Sequence, residues 1–469
     1  MKYLSKTIMH GAALCAMIAM SFFFISCDDE LDIVPKGKVT LSTLDEVELL
    51  LNQEYSINDF VANSLCLLTG ESLGAFDNIN SVVSQTNTLK YAYMTFDSSV
   101  DRVALTSTDE RYNSIYRYVN YMNVVIANTQ KAEGDRKRKE SLIAEARVMR
   151  AYMHWLAVCI YARQYDKATA EKDGGVPYVT STQVTETKEK LSLAEVYRLI
   201  LDDVSDEVIN ALPDRSAASA IRGDKAWGNA VRAVVLLQMK RYEDALPYAL
   251  EAIRLRPAMF DRSSIKTTGK WQQDQTSPNN FIYMSTGIRV SPTTAMIPRE
   301  TYNLFSPDDY VIKYDANGWS KAVGESTSGM KDVYQYNGWT AQNNVYGLTS
   351  EQLRFVAAEC YIRKGETAKG LALVDEVRQM RIEGCLPLVA SDERQAMAEM
   401  QKAKFVECLV TPFNFFDIKR WNTEAPYRRT VVRKLPSIGT FSLAPDSPLW
   451  IMPFPANAVR YNPTLTQNY

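Results

Sequence analysis

The sequence predicts a mainly α-helical fold in which paired helices alternate with long, aromatic-rich loops. Two observations support this prediction. Small and apolar residues recur at helical spacing over several stretches, and the stretches between them are rich in Gly, Pro, Ser, Thr, Asn and aromatic residues. The chain has 469 residues, which is enough to bury a large core in one or two structural units.

The N-terminus has the layout of an export signal. Two lysines precede an uncharged apolar run over residues 8–25, and the small Ser26 stands directly before Cys27. The sequence Phe-Ile-Ser-Cys that ends at Cys27 resembles a lipobox, at which a peptidase cuts before a diacylglycerol-modified cysteine. We therefore predict a signal peptide over residues 1–26 and lipidation of Cys27. The alternative is an uncleaved transmembrane anchor, because the apolar run is about long enough to span a bilayer.

The clearest helix pair lies over residues 225–257. Alanines and leucines recur at helical spacing in both halves, and Pro257 ends the second helix. An aromatic residue, alanines in series and a closing proline resemble a tetratricopeptide unit. A weaker copy spans residues 349–381 with Gly365 at its break, and residues 144–168 resemble part of another. Such pairs stack into solenoids, so we predict a tetratricopeptide-like scaffold; the alternative is an irregular helical domain.

The helix pairs divide the chain into scaffold and insertions. We predict that the scaffold comprises approximately residues 44–66, 110–257 and 349–420, and that loop insertions comprise approximately residues 67–104 and 260–347. Loops of this length inside a compact protein are usually functional or disordered. The abundance of aromatic residues in the second insertion argues against disorder.

Composition excludes several classes of function. The net charge is −2, which is too close to neutral for a nucleic-acid-binding protein. Once the signal is removed, His154 is the only imidazole, and its mid-helix position predicts a structural role. There is no Cys-x-x-Cys pair, so the sequence indicates no zinc or thioredoxin-like site. We predict no metal-binding residue and no cofactor. We interpret the basic cluster over residues 419–434 as structural, either a solvated face or a set of partners for acidic side chains.

The insertion over residues 260–347 carries the candidate ligand site. Aromatic rings stack on the apolar faces of sugars, amide and carboxylate groups bind hydroxyls, and Trp and Tyr lose little conformational entropy in a binding surface. Asn, Gln and Asp residues follow two of the tryptophans, at positions 272–274 and 342–344. The alternative is that some of these rings fill gaps in the core. The candidate ligand-binding residues are Trp271, Trp319, Trp339, Tyr283 and Tyr336.

Several segments, in order, make the chain resemble the SusD/RagB family of outer-membrane nutrient-capture lipoproteins. They are CDDELDIVP at 27–35, EARVMRAYMHWLAVCIY at 145–161 followed by GGVP at 174–177, residues 193–213, the helix pair at 357–381, FFDIKRW at 415–421, and residues 449–455 with 462–463 and 466–468. The resemblance implies that residues 27–469 form one SusD-like domain with a helical scaffold and a glycan- or peptide-binding face in the loops. It also implies a lid-like position over a SusC-like, TonB-dependent outer-membrane transporter.

We therefore expect a non-catalytic lipoprotein, anchored in the outer membrane and facing the cell exterior, that captures oligosaccharides and delivers them to the transporter. The acidic residues 28–30 resemble the signal that exports such lipoproteins to the cell surface. A peptide-binding relative is one alternative, because aromatic loops also suit peptides. A glycoside hydrolase is another, since it needs two carboxylates and no histidine. However, the adjacent pairs Asp202-Asp203 and Asp308-Asp309 show no sign of opposed placement across a cleft.

Overall fold

The structure is a computed structural model that describes residues 41–57, 62–73, 79–183, 185–215, 220–268, 275–286, 296–314, 319–320, 333–336, 344–435 and 438–469. Residues Thr43–Tyr469 make up one structural unit. The predicted signal peptide and the lipidation site Cys27 lie outside the described residues. Within the described ranges, no helix has an apolar stretch long enough to cross a bilayer.

The protein is mainly helical, as the sequence predicts. The helices are α1 (Leu44–Leu49), α2 (Ala62–Leu68), α3 (Ile79–Ser84), α4 (Leu89–Thr95), α5 (Arg102–Leu105), α6 (Glu110–Lys131), α7 (Arg136–Tyr161), α8 (Leu193–Asp203), α9 (Asp206–Ala211), α10 (Lys225–Gln238), α11 (Tyr242–Leu255), α12 (Ile265–Thr268), α13 (Arg299–Tyr302), α14 (Tyr310–Tyr314), α15 (Ser350–Arg363), α16 (Thr367–Gln379), α17 (Glu393–Glu407), α18 (Phe413–Trp421) and α19 (Ala456–Tyr461). The strands are β1 (Tyr55–Ile57), β2 (Gly174–Pro177), β3 (Lys190–Ser192), β4 (Met284–Thr286), β5 (Met296–Pro298), β6 (Trp319–Ser320), β7 (Val333–Tyr336), β8 (Val431–Leu435) and β9 (Gly439–Leu443).

Helices α6 and α7 are the longest described elements, and they pack along one another. Aspartates cap both: Asp109 accepts a hydrogen bond from the backbone N–H of Arg111, and Asp135 accepts one from Arg138. Helix α7 begins with exposed charged residues and is buried over nearly all of its second half. Its C-terminal half therefore lies in the core, where neighbouring helices surround it.

Helices form where the sequence predicts the two clearest pairs. In the first, α10 and α11 are joined by three residues and pack together, and the alanines that face the pair are completely buried. In the second, α15 and α16 pack together across Gly365, whose φ of +80° suits glycine. Helix α11 also packs on α15, so the two pairs are contiguous. This stacking agrees with a solenoid-like scaffold.

The third predicted repeat does not continue as a helix. Helix α7 ends at Tyr161, and turns lead from residue 167 to strand β2. The side chain of Asp166 accepts a hydrogen bond from the N–H of Ala168, 2.9 Å away, and this local bond favours a turn. The spacing of Tyr165 and Ala168 therefore does not mark a second helix.

The first predicted insertion, residues 67–104, contains helices α3 and α4 and most of α5. Two of these helices begin at residues with good capping side chains. Thr88 accepts a hydrogen bond from the N–H of Tyr91, and Asp101 accepts one from Ala104. Short helices with strong caps are difficult to distinguish from loops by periodicity, because they span less than two turns of amphipathic pattern.

The strands form small sheets that join distant parts of the chain. Strand β1 pairs in parallel with β4, in a register that sets Tyr55 opposite Met284. The other sheets are β2–β3, β5–β7–β6 and β8–β9, and all of their pairings are antiparallel. The β1–β4 pair holds the start of the aromatic insertion against the N-terminal part of the scaffold.

The basic cluster over residues 419–434 includes cations that lie inside the protein rather than on a solvated face. Lys419 donates hydrogen bonds to the carbonyl oxygens of Cys159 and Ala162, at the C-terminal end of α7. Arg433, which is also buried, donates to carbonyl oxygens at the ends of α2 and α4. The last carbonyl groups of a helix lack partners within it, so buried donors at these positions satisfy the helix ends. The hydrogen bonds of Lys419 and Arg433 agree with the predicted structural role. The interpretation of the cluster as a solvated face is wrong for these two residues.

Candidate functional site

The structure places the five predicted ligand-binding residues in different settings. Trp271 and Trp339 lie outside the described residues. Trp319 lies in β6 and Tyr336 in β7, and the antiparallel register of these strands sets the two residues opposite each other. Tyr283 precedes β4, is only 4% exposed, and donates its backbone N–H to the carbonyl oxygen of Ala220. The fold thus brings Trp319 and Tyr336 together in the backbone, and it buries Tyr283.

A stacked pair of tyrosines lies beside this sheet. The rings of Tyr302 and Tyr334 have centroids 3.8 Å apart and planes that differ by 5°, and both residues are half-buried. Tyr302 ends α13, directly after β5, and Tyr334 belongs to the central strand β7. Burial raises the pKa of Tyr302, so this phenol stays neutral at physiological pH. Sequence reasoning did not select this pair, because no local pattern links residues so far apart in the chain.

The aromatic insertion is anchored by the side chain of Asn344, which is buried. Its Oδ1 accepts hydrogen bonds from the backbone N–H groups of Met284 and Gly347, at 2.8 and 2.9 Å. Its Nδ2 donates to the carbonyl oxygen of Ile282 and to the side-chain oxygen of Asn280, at 2.8 and 3.1 Å. The sequence suggested Asn344 as a polar neighbour of Trp339, whereas the structure uses it to join residues 280–284 to the C-terminal end of the insertion.

A second anchor joins the insertion to α15. Asn279 Nδ2 donates to both carboxylate oxygens of Glu351, at 3.2 and 3.0 Å, and the backbone N–H of Ser350 donates to the carbonyl oxygen of Asn279. Close packing restricts the same junction: a Cβ atom at Gly347 would lie 2.1 Å from the carbonyl oxygen of Ile282. Only glycine fits there, because the backbones of Ile282 and Gly347 approach closely.

His154 joins α7 to the segment that follows β2. Its Nε2 accepts a hydrogen bond from the backbone N–H of Val179 at 3.0 Å, and its Nδ1 lies 2.9 Å from the carbonyl oxygen of Arg150. These partners are satisfied together by a neutral ring that carries its proton on Nδ1. The ring also stacks on Tyr178 with centroids 3.9 Å apart. Complete burial lowers the pKa of His154 to about 3.

The described thiols have the properties of structural cysteines. Cys66, Cys159, Cys360 and Cys408 are buried free thiols, and Cys385 is partly exposed. Burial raises the pKa of Cys360 to about 12, which suppresses the reactive thiolate. Within the described ranges, no group of three or more His, Cys, Asp or Glu side chains is arranged to hold a metal ion.

Comparisons with known proteins agree with this architecture. Residues 35–230 match the SusD-like_3 family, described as starch-binding associating with outer membrane. No match is found among curated proteins. Similar solved structures include a SusD superfamily protein from Bacteroides thetaiotaomicron VPI-5482, at 15% identity and a TM-score of 0.67, which covers 91% of this chain and 100% of the other. A SusD-like carbohydrate binding protein from Bacteroides vulgatus ATCC 8482 has 14% identity and a TM-score of 0.66, and it covers 90% and 97%.

A third similar structure is surface glycan-binding protein A from Bacteroides uniformis, at 15% identity and a TM-score of 0.67, with 91% of this chain and 98% of the other covered. At such low identity, the likeness establishes a shared fold. It extends far beyond residues 35–230, because each alignment covers nearly the whole of both chains. The chain therefore has the SusD-like fold over at least 90% of its length, and residues 35–230 carry the sequence pattern of the SusD-like_3 family.

Proposed function

We propose that this protein is a non-catalytic, surface-exposed lipoprotein that binds oligosaccharides and passes them to a TonB-dependent outer-membrane transporter. The observation that carries the proposal is the SusD-like fold, which this chain shares with proteins described as carbohydrate-binding and glycan-binding. The description of the matched family, starch-binding associating with outer membrane, supports the same ligand class and location.

The aromatic insertion is the proposed binding face. Asn344 and Asn279 anchor residues 279–284 of the insertion to its C-terminal end and to α15, and its small sheet sets Trp319 opposite Tyr336. Rings on an anchored backbone need little further ordering when a sugar binds, so less conformational entropy is lost. Trp271 and Trp339 enter the proposal from the sequence. A modest affinity suffices for delivery, because tethering beside a pore raises the effective concentration of the captured glycan.

Glycan binding by tryptophan variants tests the binding face. The mature chain is first screened on a glycan array that includes starch oligosaccharides, and the affinity for the tightest-binding glycan is then measured by calorimetry. We expect Trp271→Ala, Trp319→Ala and Trp339→Ala to weaken binding by about threefold to tenfold each, because each removes a stacking surface. Tyr461→Ala is the control, since Tyr461 is 76% exposed on α19 at the other end of the chain.

Unchanged affinity in all three tryptophan variants would contradict the assignment of the site. If the array shows no binding while a peptide library does, the peptide-binding alternative replaces the glycan proposal. Release of reducing ends during incubation with the bound polysaccharide would establish a hydrolase instead.

Cell fractionation tests the proposed anchor. Buried acyl chains contribute about 0.8 kcal/mol per CH₂ group, and two or more chains give durable attachment. We therefore expect Cys27→Ala to release the protein from the outer membrane, whereas a variant that remains membrane-bound would contradict lipidation. Affinity purification of the lipidated protein from native outer membranes should retain a TonB-dependent transporter, and its absence would contradict the proposed delivery partner.

A further inference from the structure

A cavity of about 580 Å³ lies within the C-terminal half of the fold. Three segments provide most of the described residues that line it. They are residues 303–309, residues 377–386, which include the end of α16 and the segment after it, and residues 399–407 of α17. The volume of the cavity falls in the range that small-molecule sites occupy. Residues 303–309 belong to the aromatic insertion, and the sequence predicts no ligand for the other two segments.

The floor of the cavity is a buried network of charges. Glu407 accepts hydrogen bonds from Arg381 at 2.7 and 2.8 Å, and it forms an ion pair with Arg262 at 3.1 Å. Arg381 also pairs with Glu351 at 3.0 Å. Burial by itself would raise the pKa of Glu407, but the two guanidinium groups hold it below its ordinary value. The two glutamates are therefore the ion-pair partners of the two arginines.

Asp309 adds one more carboxylate to this network. It lines the cavity, is 3% exposed, and accepts a hydrogen bond at Oδ1 from the backbone N–H of Val311 at 2.9 Å. Among the described residues it forms no ion pair. Burial raises the pKa of Asp309, and the nearby arginines only partly oppose this effect. A carboxylate can accept about four hydrogen bonds, so Asp309 retains acceptor capacity for a ligand.

The position of Asp309 is well defined by its backbone. The N–H of Tyr310 donates to the carbonyl oxygen of Arg381 at 2.9 Å, and the N–H of Glu383 donates to that of Asp308 at 3.0 Å. These two bonds hold the segment that carries Asp309 against the segment that follows α16. The carboxylate is therefore placed by the scaffold before any ligand binds, as a specific site requires.

The walls above the floor combine apolar and polar groups. Phe305, which is half-buried, provides aromatic surface, while Asn303, Ser306 and Lys402 provide donors and acceptors. Hydroxyl groups both donate and accept hydrogen bonds, so a wall of this kind suits a polyhydroxylated molecule with an apolar face.

We propose that this cavity binds a small amino sugar, with the ammonium group of the sugar at Asp309 and its hydroxyls along the polar wall. An ammonium group would neutralise the third carboxylate and strengthen the hydrogen bond to it. A neutral sugar of the same size would leave that charge unbalanced, and a sugar acid would be repelled by it. The described lining of the cavity includes none of the five predicted ligand-binding residues, and the inference does not rest on the proposed function.

Calorimetry with three single sugars tests the specificity of the cavity. At near-neutral pH we expect D-glucosamine to bind at least about tenfold more tightly than N-acetyl-D-glucosamine, with D-glucuronate weakest, because a hydrogen bond between charged groups exceeds a neutral one by this order. Asp309→Asn keeps the oxygen that accepts from Val311 and should abolish the preference for glucosamine. The matched control is Asp308→Asn, whose carboxylate already pairs with Lys313 at 3.0 Å and should contribute little.

Equal binding of the amine and the acetamide, no binding of glucosamine, or an unchanged preference in Asp309→Asn would each overturn the inference. If Asp309→Asn fails to fold, Ala403→Phe tests it instead, since this substitution on the wall of α17 fills the cavity and should abolish glucosamine binding. Location is checked at Cys385, a partly exposed thiol on the cavity wall. Glucosamine should slow maleimide modification of the Cys385 peptide, measured by mass spectrometry, and no protection would contradict binding there.

The tryptophan variants of the aromatic face should leave glucosamine binding unchanged. This result distinguishes the two proposals, because loss of the aromatic site would not affect the cavity, and loss of Asp309 would not affect stacking on Trp319 or Trp339.

Discussion

The guanidinium group of Arg420 forms two parallel hydrogen bonds with the carboxylate of Glu359, each 2.7 Å long, and neither residue has exposed surface. Trp421 donates its indole N–H to the same carboxylate at 3.0 Å, and Asp417 accepts a further bond from Arg420 at 2.9 Å. Burial by itself would raise the pKa of Glu359, but Arg420 lowers it to about 2. This pair joins α18 to α15 at the centre of the helical scaffold.

We expect Arg420→Met to lower the free energy of unfolding by about 3–5 kcal/mol, because Glu359 would remain as an uncompensated buried charge. Urea denaturation followed by circular dichroism measures this loss. The control is Arg136→Met, which removes an exposed pair with Glu140 and should cost less than about 0.5 kcal/mol. Similar losses in both variants would show that the buried ion pair contributes no more to the free energy of unfolding than the exposed pair.

The raised pKa of Glu71 predicts that the folded protein becomes less stable as the pH rises. Glu71 is completely buried, and burial raises its pKa from 4.5 to about 7 although Asn414 donates a hydrogen bond to it. Between these values the folded state binds a proton that the unfolded state has released, so the free energy of unfolding decreases across this window. Glu71→Gln removes the titration and should be stabilised relative to the wild type by up to a few kcal/mol above pH 7 but not below pH 4.5. Thermal denaturation at both pH values checks this, and a difference independent of pH would contradict it.

Gly347→Ala should loosen the base of the aromatic insertion. The new methyl group would meet the carbonyl oxygen of Ile282 at 2.1 Å, and we expect a destabilisation of about 1–3 kcal/mol. Hydrogen exchange should become faster over residues 280–286, and glycan affinity should fall with it. In Gly439→Ala the nearest atom to the new methyl would be 3.6 Å away, so this control should show neither effect. Normal exchange in Gly347→Ala would mean that the junction adapts without loosening.

His154 should remain neutral across the whole range in which histidines usually titrate. Burial lowers its pKa from 6.5 to about 3. Between these two pH values the folded state binds fewer protons than the unfolded state, so the free energy of unfolding decreases as the pH drops through this range. After removal of residues 1–26 it is the only histidine, so one imidazole signal is expected in the NMR spectrum. A constant chemical shift from pH 7 to pH 4 is the expected result, and a midpoint near pH 6.5 would contradict it.

Much of the scaffold was predictable from local patterns. Residues 225–257 and 349–381 form helix pairs because small and apolar residues repeat at helical spacing and because Gly365 and Pro257 interrupt the pattern. Residues 165–168 show the limit of this reasoning. Their spacing matches a helix, but the hydrogen bond that the side chain of Asp166 accepts from the backbone N–H of Ala168 favours a turn.

The candidate site was less predictable, because composition identifies a segment and not its geometry. The abundance of aromatics marked residues 260–347, yet their pairing depends on contacts between distant residues. Tyr302 stacks on Tyr334, Tyr283 lies inside the fold, and Asn344 clamps the backbone. None of these roles has a local signal, since a Tyr or Asn in a loop has the same sequence context whether it faces solvent or the interior.

By itself, the sequence determined the mainly helical class, the positions of its clearest helix pairs and the segment that is rich in aromatic residues, because these properties depend on periodicity and composition over short stretches. Only the tertiary structure decided which charges are buried and which groups satisfy them. Lys419 and Arg433 complete helix ends far away in the chain, and Asp309 lies near Arg262 and Arg381 at the floor of a cavity. The physical reason is that burial and electrostatic pairing depend on distances in space, which sequence separation does not encode.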